Sequence, residues 1–405
     1  FRLILPQNVT EELLLGHARR VGADVRHGVR VGDLHQDGDA VHVQIDTPDG
    51  PATLSAPWVV GADGGRSTVR EAVGIPFEGH DGTFTGIAAD VTLRFPWPEG
   101  RRMIDNERGW VTSFPFGETD PVTRFNLVHA ERRRAPQSEP VTVEEVRRCV
   151  ADILGADLPM DELRWGSRFT DAMRKAPRWR EGRVLLLGEA CRIHYPASGV
   201  GMNFCIQDAF NLGWKLAAVV NGHADDALLD SYETERTPVT DALLESVKSQ
   251  VAVQFNFSPE GVAFKRMFQA QLMPMAEVNS RLAHELNGLT APYPVPPGSH
   301  KLTGERVPDV ELMRPGGLRR VGEMLRNGRF LLADLTGNDA YNTEPALGGL
   351  PVERVSGVPV LIPDSMCGVT SLLVRPDAYV AWAGTGAPSP AQAADEVARW
   401  LRRAA

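Results

Sequence analysis

A short apolar run, Arg183–Gly188 (RVLLLG), ends in a carboxylate, Glu189. It is followed by the spacing Pro196-x-x-Gly199-x-Gly201-x-Asn203 and the long segment QDAFNLGWKLAAVV. The run reads as a buried strand and the segment after Asn203 as an amphipathic helix. Glycines at i and i+2 let the backbone approach a flat ligand closely. A helix starting near Asn203 aims its unpaired N–H groups and the positive end of its dipole at whatever occupies the turn. Strand, acid, glycine turn and helix in this order point to an α/β fold with a ligand site at the strand's end.

A second block has the same character. Pro57–Asp63 (PWVVGAD) is an apolar strand running into Asp63-Gly64, with Ser67 and Arg70 at fixed offsets behind it. The turn at 196–203 suits an isoalloxazine ring, whose pyrimidine edge gains negative charge on reduction. Together, in this order, the two blocks resemble the class A FAD-dependent monooxygenases, the p-hydroxybenzoate hydroxylase-like enzymes. The resemblance is nearest to the aromatic polyketide hydroxylases. It implies that Asp63, Gly64, Ser67 and Arg70 lie beside the FAD pyrophosphate and help with NAD(P)H. It also implies that Glu189, Arg192, Pro196, Gly199, Gly201, Met202 and Asn203 hold the flavin. FAD and NAD(P)H are the cofactors expected.

The chain departs from the family pattern at two places. Glu189 stands where the family has Asp, and Arg192 where it has His. A glutamate can still accept a ribityl hydroxyl hydrogen bond. Arg192 replaces a switchable imidazole with a permanent cation, expected to pair with a phosphate or with Glu189. Ser198 and Val200 stand where relatives often carry Gly and Gln.

No G-x-G-x-x-G occurs in the chain, which begins FRLILPQNVT without Met. Its first residues resemble the family after the nucleotide-binding βαβ unit of roughly 30 residues, so these 405 residues are expected to be part of a longer protein. The expected fold is an FAD/NAD(P)-binding mixed sheet domain lacking its N-terminal βαβ, a mostly antiparallel substrate sheet and a thioredoxin-like C-terminal domain. The division reads as 1–79 and 169–290 for the FAD domain and its helices, 80–168 for the substrate sheet, 291–312 as a proline-rich linker, and 313–405 for the C-terminal domain. Helices are expected over Thr10–Val21, Thr142–Leu154, Asp225–Val253 and Glu260–Leu289, the last broken near Pro274. A strand pair turns at Pro376-Asp377 in TSLLVRPDAYVAWAG, and a final helix covers Pro390–Arg403.

A net charge of −9 argues against nucleic acid as a partner, and no apolar run approaches the roughly 18 residues that span a bilayer. The cysteines 149, 191, 205 and 367 lack metal-ligand or C-x-x-C spacing and read as free thiols in a reducing cytoplasm. No metal site is expected, and a homodimer is the one assembly considered. Trp110, Phe114, Phe116, Phe125 and Phe169 are candidates for an aromatic-substrate pocket, with core packing the default for each alone. His194 reads equally as a pocket residue or a structural one. Asp208 reads as structural within its helix, and Arg168 and Arg174 as solvated or ion-paired, with contact to substrate or flavin the alternative. No residue is assigned a catalytic role, because in such an enzyme the protein supplies position and a dry pocket. The activity implied is NAD(P)H- and O2-dependent hydroxylation of a large aromatic polyketide-like molecule. The alternative is a non-redox cyclase using FAD as a pocket wall, motivated by Glu189 and Arg192. A non-catalytic scaffold is a third reading, resting only on the absent front portion.

Overall fold

The computed structural model describes residues 5, 7–95, 102–115, 121–286, 291–342 and 344–401. The first elements are helix α1 (Gln7–Arg20) and an antiparallel meander, β1 (Arg30–Gln36), β2 (Val41–Thr47) and β3 (Gly50–Ala56). In β2 the alternation VHVQIDT buries Val41, Val43 and Ile45 on one face, as a half-buried strand requires. The expected helix at Thr10–Val21 begins earlier, at Gln7, and none of its residues is buried. Strand β4 (Val59–Gly61) then leads through the Asp63-Gly64 loop into the short helix α2 (Thr68–Ala72).

The middle of the chain is a five-stranded antiparallel sheet. Its strands are β5 (Thr85–Leu93), β6 (Arg102–Asn106), β7 (Gly109–Pro115), β8 (Val122–His129) and β9 (Met160–Thr170), in spatial order β9-β5-β8-β7-β6. Helix α3 (Val143–Leu154) covers one face with Val146, Cys149, Val150 and Ile153. It is capped by Thr142, whose Oγ1 accepts the Glu145 N–H at 3.1 Å, and it stops at the left-handed Gly155 (φ +73). The other face of the sheet is turned toward helices later in the chain.

The chain returns in β10 (Val184–Leu186), paired in parallel with β4 and fully buried along its length; a parallel pair covered on both faces reads as an unbroken apolar run. Helices α4 (Gly201–Val220), α5 (Asp230–Gln254), α6 (Pro259–Met267) and α7 (Ala276–Leu286) follow. Between α6 and α7 lies a π-helical turn, Phe268–Leu272, and the chain breaks at 273–275 as its proline predicts.

The stretch 291–312 is packed rather than free. Tyr293 stacks on Tyr379 at 3.9 Å, Leu302 and Val310 are buried, and Leu312 belongs to a strand, Glu311–Arg314, inside the C-terminal core. Beyond it stand β11 (Phe330–Asp334), β12 (Val352–Ser356), β13 (Val369–Val374), β14 (Val380–Thr385) and helix α8 (Pro390–Ala398). The sheet order is β12-β11-β13-β14, with β11 parallel to β12 and the other pairs antiparallel. This is the expected thioredoxin-like arrangement, with a single 3₁₀ turn, Pro345–Leu347, among the described residues that link β11 to β12. The unit docks on α4 through Trp214, which meets Phe330 edge-on at 5.1 Å. No helix among the described residues is long and apolar enough to cross a membrane.

Candidate functional site

The turn after β10 brings the two motif blocks together. Gly188 (φ +63) bends the chain so tightly against α4 that a Cβ on it would lie 3.2 Å from Cys205 Sγ. From the other block, a Cβ on Gly65 would fall 2.7 Å from Ile193 Cγ2. Arg70 spans the two, donating from Nη1 to the carbonyls of Gly65 (3.1 Å) and Ala190 (3.3 Å).

These contacts narrow the role of the first block. Ser67 is fully buried and caps α2: its Oγ donates to Asp63 Oδ1 at 2.5 Å and accepts the Arg70 N–H at 2.9 Å. The Val69 N–H donates to Asp63 Oδ2 at 3.1 Å. Arg70 is buried with its guanidinium 4.0 Å over the Phe77 ring. Ser67 and Arg70 therefore shape the loop from beneath, whereas Asp63 is exposed and Gly64 half-buried.

In the second block Glu189 is exposed beside the first turn of α4, as are Pro196, Gly199, Met202 and Asn203, with Gly201 half-buried. Gly64 (φ +81) and Gly199 (φ +69) each face open space where a Cβ would stand. The sequence expectation fails at Arg192. Its side chain is 1% exposed and donates from Nη1 to Asp208 Oδ2 at 2.6 Å. The other oxygen of Asp208 accepts from Arg236 Nε at 2.6 Å. Asp208 is fully enclosed by these two cations, and Arg192 reaches neither the outer face of the turn nor Glu189. The physical reason is desolvation: a buried cation needs a buried anion, and α4 supplies one. His194 lies beneath the turn, its ring 3.5 Å from where a Gly201 Cβ would be, with Nδ1 2.7 Å from the Tyr195 carbonyl. Burial pushes its imidazole below the usual histidine range.

The turn opens on a cleft of about 2830 Å³, into which Tyr195, Pro196, Gly199, Val200 and Phe204 project. Pockets for drug-sized ligands are usually ~300–1,000 Å³, so this one has room for a ring system beside a flavin. Its floor is the free face of the five-stranded sheet and its opposite wall is α5, α6 and α7. Strand parity decides which side chains it receives. Met103 and Asp105, then Trp110, Thr112 and Phe114, then Arg124 and Asn126 alternate onto the cleft face. Val111, Phe125 and Leu127 alternate away, into the core under α3. Trp110, Phe114 and Phe169, three of the candidates, line the cleft. Phe125, 1% exposed, does not, and Phe116 lies outside the described residues.

Sequence reasoning passed over Tyr195, Trp165, Arg124, Asn126 and Lys265, all of which line the cleft. Alternation along RFNLVH was the available signal for Arg124 and Asn126. Arg124 pairs bidentately with Asp90 (2.7 and 2.8 Å) and lies 5.1 Å from the Trp165 ring. Arg168 and Arg174 are ion-paired, with Glu145 (2.7 Å) and Asp81 (2.6 Å).

The residues fit a flavin. Gly64 and Gly199 without obstruction, an exposed carboxylate and the first-turn N–H groups of a 20-residue helix lie in the two loops that Arg70 ties together, and Gly199 also lines the aromatic cleft. Residues 2–247 match the FAD binding domain family, and residues 300–404 match the C-terminal domain family of aromatic-ring hydroxylases. The chain belongs to the FAD-dependent monooxygenases of the aromatic-ring hydroxylase type.

It is 40% identical, over 96% of its length and 78% of the relative's, to the 12-dehydrotetracycline 5-monooxygenase/anhydrotetracycline 6-monooxygenase of Streptomyces rimosus. The structure of an anhydrotetracycline hydroxylase from Streptomyces rimosus superimposes with a TM-score of 0.87 at 36% identity, covering 100% of this chain and 81% of that one. A dialkyldecalin synthase of Streptomyces rugosporus is 33% identical over 94% of this chain and 76% of its own.

Proposed function

We propose that this protein hydroxylates a large, fused aromatic polyketide-like molecule, using NAD(P)H and O2, in the cleft between the five-stranded sheet and helices α5–α7. The observation that carries the reading is that the glycine turn opens on the same cleft as the aromatic floor. Bound FAD supplies electron transfer from NAD(P)H and activation of O2. The chain's own residues do the rest. Glu189, Gly199 and the first turn of α4 would hold the flavin at one end of the cleft. Trp110, Phe169, Tyr195 and Phe204 present apolar surface against which a planar substrate stacks. Asn126, Thr112 and Ser167, on the floor, supply the few polar groups that orient such a ligand. The α5–α7 wall covers the cleft and keeps water from the reacting ring.

The test is substrate-dependent NAD(P)H oxidation and O2 uptake by FAD-loaded protein. Turnover that needs both cosubstrates supports the proposal. Product formed under nitrogen without nicotinamide would overturn it in favour of cyclisation, the reaction class suggested by the decalin synthase relative. Arg192, one of the two departures that suggested a cyclase, is buried in an ion pair and lends that alternative no chemistry.

A further inference from the structure

One ion pair among the polar groups that line the cleft joins helix α6 to the floor of the sheet. Lys265, on α6, donates to Asp105 Oδ1 on β6 at 2.5 Å, and the two side chains are 8% and 11% exposed. Both line the cleft. The ammonium also donates to the Gln254 carbonyl at 3.1 Å and stands 5.0 Å from the Phe257 ring. A lysine ammonium has three N–H donors, so one is left over among these contacts. Asp105 Oδ2 accepts nothing from the described residues. Burial pushes the Asp105 carboxyl up, against the lowering effect of Lys265; a second donor on this carboxylate would be well received.

The pair stands beside an aromatic cluster. Asp105 is the cross-strand partner of Trp110 on the cleft face. Trp110 meets Phe255 edge-on at 5.7 Å, and Phe255 meets Tyr195 edge-on at 5.1 Å. Tyr195 adjoins Pro196 in the glycine turn. These rings pack together in the core behind the cleft lining and join the turn to the strand pair that carries Asp105. A buried pair of this kind adds little to stability over apolar side chains of the same volume.

We propose that Asp105 and Lys265 form a substrate-anchoring subsite for a neutral donor–acceptor edge, such as an enol-ketone or a primary carboxamide, on a ring other than the reacting one. The inference rests on the reading of the cleft as the substrate site. The free ammonium N–H takes the ligand's carbonyl and the free carboxylate oxygen takes its O–H or N–H. A ligand anion would meet Asp105 and a cation would meet Lys265, so the neutral edge is the one the pair selects. Sites built to hydrogen-bond a ligand group discriminate strongly against analogues that lack it.

The experiment uses FAD-loaded protein without NAD(P)H and two fluorescent probes, anthracene-2-carboxamide and 2-ethylanthracene. Wild type is expected to bind the carboxamide at least tenfold tighter. In Lys265→Met, and in the double variant Asp105→Leu/Lys265→Met, which replaces the pair with apolar volume and so guards against misfolding, that ratio should fall to near one while the ethyl probe binds as before. A ratio unchanged in the double variant overturns the subsite. So does an equal loss of both probes, which would make the pair only a tie between α6 and the sheet. Equal binding of both probes by wild type overturns the subsite alone, leaving the cleft. Binding of neither overturns the reading of the cleft and the subsite with it. A preserved preference alongside failed oxygenation would keep the subsite and discard the hydroxylase.

Discussion

At Gly201 the structure separates folding from ligand binding. A Cβ there makes ordinary contact with the His194 ring at 3.5 Å, so the fold accommodates it, while the added bulk of a valine denies a flavin its close approach to the first turn of α4. Gly201→Val is expected to melt within a few degrees of wild type as apoprotein yet to lose FAD on gel filtration; a purified variant that stays fully yellow contradicts the assignment. For Glu189, exposed beside α4, Glu189→Ala should weaken FAD binding by roughly 1–3 kcal/mol, the range for a hydrogen bond to a charged group, whereas Glu189→Asp should bind nearly as wild type. Titration of apoprotein with FAD measures both, and equal affinity in all three proteins would place Glu189 outside the cofactor site. The turn itself was legible in the sequence because its determinants are local: a positive φ, a close approach and a helix start lie within a few residues. Phe125 was misjudged although its signal was also local. Its parity along β8 puts it with Leu127 under α3, and aromatic character alone says nothing about parity.

Arg192 shows what local reading cannot supply. Its partner Asp208 lies 16 residues onward and the second cation, Arg236, a further 28, so three elements had to be packed before the pairing existed. The sequence offered phosphate or Glu189 as partners because they were adjacent in the motif. Restoring the family's residue with Arg192→His would leave Asp208 short of one of its two cations without placing an imidazole at the flavin. The expected cost is roughly 3–5 kcal/mol of unfolding free energy, the usual penalty for breaking a buried pair. Chemical denaturation of apoprotein measures it. Wild-type stability combined with altered flavin reduction would show instead that Arg192 acts on the cofactor.

The whole molecule is tied together at the turn of the β13–β14 hairpin. Arg375, buried in that turn, donates to both oxygens of Glu235 on α5 (2.6 and 2.9 Å) and to Asp377. Lys215 of α4 donates to the same Glu235 at 2.7 Å. The expected linker fails here too, since Tyr293 packs against Tyr379 and 5.0 Å from the Arg375 guanidinium; proline content announced an extended backbone but not what would cover it. Burial alone would push the Glu235 carboxyl up, yet Arg375 and Lys215 hold it at about 2, below its ordinary 4.5. A carboxylate depressed on folding contributes stability that is present above pH 4.5 and is lost as the pH falls toward 2. By linkage, this one group should withdraw about 2 kcal/mol of stability between pH 6 and pH 3. Glu235→Gln should cost roughly 3–5 kcal/mol at pH 6, because it strands two buried cations. The gap between wild type and variant should then narrow by about 2 kcal/mol at pH 3, since the variant has no proton to take up at this position. Urea titrations of both proteins at the two pH values measure the gap directly, and a gap of the same size at both would remove Glu235 from the acid response and leave the domain contact to its aromatic packing.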